Sequence, residues 1–470
     1  MRTTLLEMNT PKVSALRTRA VKKGLLRLCA GSLLLAGSLA TVQASNLEEL
    51  GKTLTPLGGE KAGNKEGTIP AWTGDGVGEI PKSYALGKHH PDPFVDEEPL
   101  FVITAENLDQ HKDKLTEGQI ALFLAYPDTY KMRVYPSHRT AQYPQWYYDN
   151  TKACATKAKT TEGGDGIEGA HACLPFPIAN SGHQAMWNHQ LRFQGLYREV
   201  TGDSASPDAN GRYVKREFKR HMFFPYYDEN RTDSDQLSML LPRTLSPART
   251  AGDTFLVLDY LNPKAKPRQA WRYFGGQRRV RRAPVFVFDT PIPSSGGLRT
   301  MDAYDLWFGS LQKYDWKLVG KRELYIPYNS YRLGAAGVSN EELLQPGHVK
   351  ADLARYEQHR VWVVEANLKE GERHIYPHRT LYLDEDTWMA VIHDMYDERG
   401  QLWRTAHKFS KLYWEVPLVG DVLNVHHDLL SRRYAAIPMM GEYDKPIDFL
   451  KEPPGDAFFT PANIRKLGVR

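Results

Sequence analysis

The feature that most constrains this chain is a long series of segments in which apolar and polar side chains alternate with a period of two. The segments are separated mostly by turn signals such as "NPKAKP", "KEGE", "DED" and "DERG". Short turns between strands predict an antiparallel meander, and a sheet of so many strands curls into a strongly curved sheet or an incomplete β-barrel. The predicted strands span residues 190–200, 212–224, 254–261, 268–274, 278–288, 316–327, 359–368, 373–383, 387–396 and 401–413.

The region before the meander is irregular and contains short helices. Capping boxes at Thr116–Gln119 and Ser181–Gln184 predict the start of two helices, and Pro127 ends the first. The fold class that follows is mainly β, within α+β. We divide the chain into residues 1–44, an irregular and helical region 45–190, the meander 191–435 with helical insertions, and a C-terminal extension 436–470.

Residues 1–44 have the pattern of a cleavable signal peptide. A basic start is followed by the apolar run "LCAGSLLLAGSLA", which is shorter than the roughly 20 residues that span a bilayer. The run is followed by "VQA", which predicts cleavage after Ala44. Cys29 lies at the beginning of the run, whereas a lipidated cysteine lies just after it. We therefore expect a periplasmic protein with no stable transmembrane segment in the mature chain, and association with the outer membrane as an alternative.

The basic charge of the chain is concentrated in this predicted signal. The formal net charge is +5, and removing the seven basic residues and one acidic residue of positions 1–44 changes it to −1. A mature chain with no surplus of positive charge is not expected to bind nucleic acid.

The mature chain keeps two cysteines, Cys154 and Cys173, separated by a polar, glycine-rich segment. In an oxidising compartment they are expected to form a disulfide, which stabilises such a loop by roughly 3 kcal/mol. A catalytic thiol is the competing interpretation.

Common catalytic and cofactor motifs are absent from the sequence, including His-Glu-x-x-His, Gly-x-Ser-x-Gly and a Walker loop. We predict no cofactor, no metal and no enzymatic activity. The alternative is a hydrolase acting on a periplasmic polymer or ester, which would bring His138, His378, Asp384 or His393 together around an open pocket.

The segment "WRYFGGQRRVRRAPVFVF" predicts a basic β-hairpin with its turn at Gly275-Gly276. Alternation places Arg278 and Arg282 on one face and Arg279 and Arg281 on the other. We expect at least one of these four arginines to face the concave side of the sheet, where a charge needs a partner. The candidate ligand-binding residues are Trp271, Tyr273, Arg281, Arg282 and Trp362.

Two long segments, "AWRYFGGQRRVRRAP" and "RHIYPHRTLYLDEDTWMAVIHDMYDERGQLWRTAHKFSKL", resemble hairpins of the outer-membrane lipoprotein-sorting fold, the LolA/LolB-like fold. With "GNKEGTIPAWTGD", "YKMRVYPSHRTAQYPQW" and "LPFPIANSGHQAMWNHQLRFQG", the mature chain resembles the DUF1329 family of exported proteobacterial proteins. The resemblance implies a curved sheet wrapped over helices, an apolar interior that holds acyl chains in Lol-like proteins, and proximity to exporters of the resistance-nodulation-division type.

These observations predict a periplasmic binding protein or accessory factor that handles a lipid-like or other hydrophobic cargo beside an envelope exporter. A solid-core structural subunit of an envelope complex is a further alternative, in which the sheet encloses no cavity. A measured cavity and its lining distinguish the two.

Overall fold

The computed structural model describes residues 47–231, 234–283 and 288–468. The described residues from Glu49 onward form one compact unit. The predicted signal peptide lies outside the described residues. Within the described ranges, no helix combines the length and the apolar character needed to cross a membrane. The α-helices are α1 Glu117–Ala125, α2 Gln145–Cys154, α3 Gly182–Leu191, α4 Asn340–Leu343 and α5 Pro461–Gly468.

Most of the regular structure is β-strand. The strands are β1 Phe101–Ile103, β2 Met132–Tyr135, β3 Lys159–Thr161, β4 Gly166–Glu168, β5 Tyr197–Ala205, β6 Arg216–Phe223, β7 Gln236–Thr244, β8 Thr254–Tyr260, β9 Gln269–Phe274, β10 Arg279–Arg282, β11 Tyr314–Pro327, β12 Tyr356–Leu368, β13 His378–Asp384, β14 Ala390–Tyr396, β15 Leu402–Tyr413, β16 Leu418–Asp428, β17 Arg433–Met439 and β18 Ile447–Asp448. Short 3-10 turns connect several of them, at Leu108–Gln110, Lys112–Lys114, Glu162–Gly164, Pro225–Tyr227, Gly275–Gln277, Pro293–Ser295, Arg332–Gly334, Ala351–Leu353 and Asp456–Phe458.

Sixteen of these strands form one sheet, and β3 and β4 form a separate hairpin. The order along the large sheet is β1-β2-β12-β13-β14-β15-β16-β17-β5-β6-β7-β8-β9-β10, with β11 paired to β12 and β18 paired to β5. The pairing of β2 with β12 is parallel and the other described pairs of this sheet are antiparallel. The sheet is curved but is not closed into a barrel, which confirms the predicted fold class.

The predicted hairpins are present, with shifted ends. The predicted strand 190–200 is wrong at its start, because residues up to Leu191 complete α3 and the strand begins at Tyr197. The predicted strand 278–288 ends at Arg282, and residues 284–287 lie outside the described part. Among the longer strands, β7, β16 and β17 were not predicted. Most of β16 is buried on both faces, and its polar side chains lie inside, so it lacks the alternation of a half-exposed strand.

The helix starts depend on local capping. Thr116 and Gln119 form the predicted capping box at the start of α1, and α1 ends before Pro127. Ser181 caps α3 by accepting a hydrogen bond from the backbone N–H of Gln184. A Cβ at Gly182 would lie 2.5 Å from the backbone of Trp316, so the first turn of α3 can approach β11 this closely only with glycine there.

The main core lies under the central strands and contains large aromatic side chains. Trp187 of α3 and Trp388, in the turn after β13, are buried in the same cluster as Trp307. The disulfide between Cys154 and Cys173 is formed, as predicted, and it closes the segment that carries the β3–β4 hairpin.

The two faces of the four strands β6–β9 pack against different parts of the chain. On one face, Phe223, Leu256 and Tyr273 pack with Phe459 and with Ile464 of α5. On the other face, side chains of the same strands turn toward residues 288–312. This second face carries the candidate site.

Candidate functional site

The predicted aromatic ligand residues of β9 belong to the core on the α5 side of the sheet. Tyr273 is fully buried in the cluster that contains Phe459 and Ile464, and Trp271 packs against the same cluster. The remaining aromatic candidate, Trp362 of β12, is half-buried and stacks on Trp388 with ring centroids 5.6 Å apart. The structure therefore does not bring Trp362 together with the two β9 residues in one cluster.

The two candidate arginines lie on the short edge strand β10. Arg281 and Arg282 are exposed, and the Arg281 guanidinium donates to the Gln277 side chain at 3.1 Å. Arg278 and Arg279 are exposed as well, so the expectation that at least one of the four arginines faces the interior is wrong. The physical reason is that β10 is four residues long and pairs with β9 alone among the described strands, so it has little around it to bury either face.

The four residues predicted for a hydrolase do not meet in one cleft. His138 bonds to Glu97 at 2.6 Å, and His378 bonds to Asn367 at 2.8 Å. His378 and Asp384 lie at opposite ends of β13, about 20 Å apart at the rise of a strand. His393 is fully buried, and burial lowers its pKa to about 3.

A cavity of about 260 Å³ lies between the second face of β6–β9 and the segment that follows β10. We call it the arginine pocket. Its side chains follow the strand register, since Arg220 pairs with Pro242 across β6 and β7, and Leu240 pairs with Val257 across β7 and β8. The lining residues are Arg216, Arg220, Leu240, Pro242, Thr244, Arg249, Thr250, Asp253, Phe255, Val257, Arg272, Ile292, Ser294, Arg299, Met301 and Tyr304.

Two smaller cavities continue from the arginine pocket. A cavity of about 30 Å³ shares with it Leu240, Val257, Met301 and Tyr304. A further cavity of about 90 Å³ shares Phe308 and other residues with the second one. The apolar lining thus extends from the arginine pocket along the sheet, a form that fits an elongated apolar group.

Positive charge dominates the wall of the arginine pocket. Its described lining contains five arginines and a single acidic residue, Asp253. That acid already has a partner, because the Arg272 guanidinium donates to it at 2.8 Å. Arg249 is exposed and Arg216 is half-buried, whereas Arg220 and Arg299 lie inside. The polar part of the pocket therefore has a cationic surplus.

The two inner arginines form no ion pair with any described residue. Arg220 and Arg299 are each 6% exposed, and within the described residues neither guanidinium forms an ion pair or a hydrogen bond; the Nε atom of each is buried without a partner. Both lie against Tyr304, with guanidinium carbons 5.7 and 5.5 Å from the ring centroid. Burial, with a further contribution from Arg220, lowers the pKa of Arg299 to about 10, still above neutral pH. A buried cation without an anion is costly.

Sequence reasoning did not find this site. A signal existed in β6, where alternation places Arg216, Arg220 and Met222 on one face, so that an apolar face carries two cations. Arg299 gave no such signal, because it lies in the irregular segment between β10 and β11.

Another group of polar side chains has the composition of a metal site. Ligand atoms of His359, Asp384 and Asp386 lie within 4.8 Å of one another. Asp386 accepts two hydrogen bonds from Arg139, and His359 donates to Glu357 at 3.1 Å. Asp384 keeps one buried oxygen without a partner, and burial raises its pKa to about 7. Because protein groups already satisfy most of these atoms, we interpret the cluster as a structural anchor.

Comparisons with known proteins identify the family. The model of the family described as "Protein of unknown function (DUF1329)" matches residues 102–465. A Pseudomonas aeruginosa protein, "Uncharacterized protein PA3922", is 44% identical over 445 residues, which cover 93% of this chain and 97% of that protein. Among solved structures, a DUF1329 family protein from Desulfovibrio piger is 14% identical over 58% of this chain and 92% of its own, with a TM-score of 0.38.

A second solved structure, the LolA superfamily protein NE2245 from Nitrosomonas europaea, is 12% identical. It covers 60% of this chain and 98% of its own length, with a TM-score of 0.35. The family model spans most of the described residues, and the Pseudomonas protein aligns over nearly the full length of both chains. The chain belongs to the DUF1329 family.

Proposed function

We propose that this protein is a periplasmic, non-enzymatic binding protein that holds a hydrophobic, lipid-like molecule in the arginine pocket. The observation that carries the proposal is a cavity of about 260 Å³ with an apolar floor, which two smaller cavities extend along the sheet. A structural subunit with a solid core would need no such space. Export through the predicted signal peptide would place the pocket in a compartment that a lipid-like molecule crosses between two membranes.

The lining supports a molecule with a chain. Leu240, Val257 and Met301 border both the arginine pocket and the cavity next to it, so an apolar group that enters the first can continue toward the second. Burial of a methylene group from water contributes about 0.8 kcal/mol, so several methylenes give useful affinity without any covalent chemistry.

Extraction of the protein tests this proposal. The full chain is expressed in a Gram-negative host, purified from the periplasm and extracted with organic solvent, and the extract is examined by lipid mass spectrometry. We expect an amphiphile in stoichiometric amount with the wild type. Leu240→Trp fills the half-buried position between the two cavities and should remove the amphiphile. Leu430→Trp is the matched control, at a side chain that is 71% exposed.

Circular dichroism and a melting curve establish that each variant is folded. Met301→Trp fills the same space from the opposite wall, and it replaces Leu240→Trp in the extraction experiment if that variant does not fold. Wild-type protein that carries no amphiphile and binds none of the dodecyl probes described below would contradict the proposal.

The proposed partner is an envelope exporter of the resistance-nodulation-division type, which would deliver or accept the cargo. This part of the proposal comes from the family resemblance. Crosslinking in intact cells, followed by purification of this chain, should recover a component of such an exporter, and the yield should fall for Leu240→Trp if cargo is needed for the contact.

A further inference from the structure

The inner part of the arginine pocket has the chemistry of an anion site. Arg220 and Arg299 come from different parts of the chain, a strand and the segment after β10, and both lie against the ring of Tyr304. Neither has a carboxylate within ion-pair distance among the described residues. Two guanidinium groups directed at one cavity, without protein acceptors, provide donors for a ligand.

The interior next to the arginine pocket contains further basic side chains that share few carboxylates. Lys408 and Arg192 share the carboxylate of Asp305, and Lys408 also bonds to Asp421 at 3.0 Å. Arg198, on the strand beside β6, donates to the neutral acceptors Met222 and Gln194, each at 3.2 Å.

Together with Arg220 and Arg299, this part of the described interior holds five basic side chains. Their electrostatic partners there are two carboxylates, Asp305 and Asp421. The imbalance is consistent with an anion that binds from outside the chain.

We propose that the cargo is an anionic amphiphile whose phosphate or carboxylate head group binds Arg220 and Arg299 while its chain lies along the apolar lining. This inference rests on the proposed function and adds the class of ligand. A guanidinium presents parallel N–H donors that match the oxygens of phosphate and carboxylate, and such charge-assisted hydrogen bonds are stronger than neutral ones.

Neutral and cationic head groups do not compensate the charges of Arg220 and Arg299. A hydroxyl head group accepts hydrogen bonds but leaves both buried charges uncompensated, and an ammonium group adds a further positive charge. Free phosphate supplies the anion but leaves Leu240, Val257 and Met301 without an apolar partner. The chain and the head group are therefore both needed for tight binding.

Titration calorimetry with matched probes tests the inference. Delipidated protein near neutral pH is titrated with dodecyl phosphate, dodecanoate, 1-dodecanol and dodecyltrimethylammonium, each below its critical micelle concentration, and with inorganic phosphate. We expect at least one of the two anionic probes to bind about tenfold or more tighter than dodecanol, because hydrogen bonds to charged groups contribute that much to a binding constant. Inorganic phosphate should bind more weakly than the anionic dodecyl probes.

Variants assign the effect to the two residues. Arg220→Gln and Arg299→Gln should each reduce the preference for the anion over dodecanol and leave dodecanol binding little changed. Arg399→Gln, at an exposed arginine in the turn between β14 and β15, is the matched control and should keep the full preference.

The outcomes separate the two proposals. Dodecanol binding as tightly as both anions would overturn the anionic class and leave the hydrophobic carrier in place, whereas no binding of any dodecyl probe would overturn both. Inorganic phosphate binding as tightly as dodecyl phosphate would overturn the amphiphile in favour of a simple anion site. If the glutamine variants fail to fold, the order of the binding affinities of the five probes for the wild type still tests whether the ligand is an anionic amphiphile.

Discussion

The Arg139 guanidinium donates to both carboxylate oxygens of Asp386, from Nε at 2.8 Å and from Nη2 at 2.6 Å. Both side chains are 3% exposed. Arg139 follows β2, whereas Asp386 lies in the turn between β13 and β14, so the pair joins the N-terminal region to the central sheet. Arg139 also donates to the backbone carbonyl of Glu60 at 2.7 Å, which holds a third segment in place.

Removal of one partner should destabilise the protein strongly. Arg139→Gln leaves Asp386 as a buried carboxylate without its cation, and we expect the free energy of unfolding to fall by about 3–5 kcal/mol in denaturant titrations. Arg281→Gln, an exposed arginine, is the matched control and should change it by less than about 0.5 kcal/mol. A loss for Arg139→Gln as small as that of the control would contradict the role of the pair.

Asp394 predicts a specific pH dependence of stability. It accepts hydrogen bonds from Thr405 at 2.7 Å and from the backbone N–H of Gly118 at 3.0 Å. Burial raises its pKa from 3.8 to about 6. Between about pH 4 and pH 6 the folded state therefore keeps a proton that the unfolded state has lost, so rising pH weakens folding in this window.

The change Asp394→Asn removes this titration. From pH 4 to pH 7 the unfolding free energy of the wild type should fall, relative to that of the variant, by on the order of 3 kcal/mol, since one pKa unit corresponds to about 1.36 kcal/mol. Urea titrations at several pH values measure the difference. A difference that stays constant, or that grows in favour of the wild type as pH rises, would contradict the assignment.

The local parts of the fold were predictable from sequence, because they depend on neighbouring residues. The alternation and the turn residues around Gly275-Gly276 are sufficient to identify the β9–β10 hairpin, and Thr116 with Gln119 is sufficient to place the start of α1. The burial of Asp386 was not predictable, since Asp is common in exposed hairpin turns and its cation lies 247 residues away in the chain.

The candidate site fails to appear in the sequence for the same reason. Arg220 and Arg299 are ordinary residues of a strand and a loop, and only the tertiary fold places both against Tyr304. The arginines that stand out in the sequence, those of "RRVRR", lie on an exposed edge strand. The density of charge along the chain therefore does not locate the site. The informative feature is that neither Arg220 nor Arg299 has a carboxylate within ion-pair distance among the described residues.

The disulfide should contribute stability without a role in binding. Cys154 and Cys173 close a loop with a sequence separation of 19 residues. The double variant Cys154→Ser with Cys173→Ser should lose about 3 kcal/mol of unfolding free energy, because the unfolded chain regains the freedom of that loop. Thiol titration of the unfolded wild type should find no free thiol in the mature chain, and dodecyl phosphate affinity should be unchanged in the folded variant. Loss of binding without loss of stability would favour a functional thiol.

The helix α5 should stabilise the sheet from the face opposite the arginine pocket. Ile464 is fully buried against the cluster that contains Tyr273 and Leu256, so Ile464→Ala should reduce the unfolding free energy by about 2–5 kcal/mol. Leu430→Ala, at an exposed leucine, is the control and should cost little. Because the pocket side chains point away from α5, the folded Ile464→Ala protein should bind dodecyl phosphate with wild-type affinity in calorimetry. A variant of unchanged stability with weakened binding would instead place the cargo on the α5 side, next to Trp271 and Tyr273.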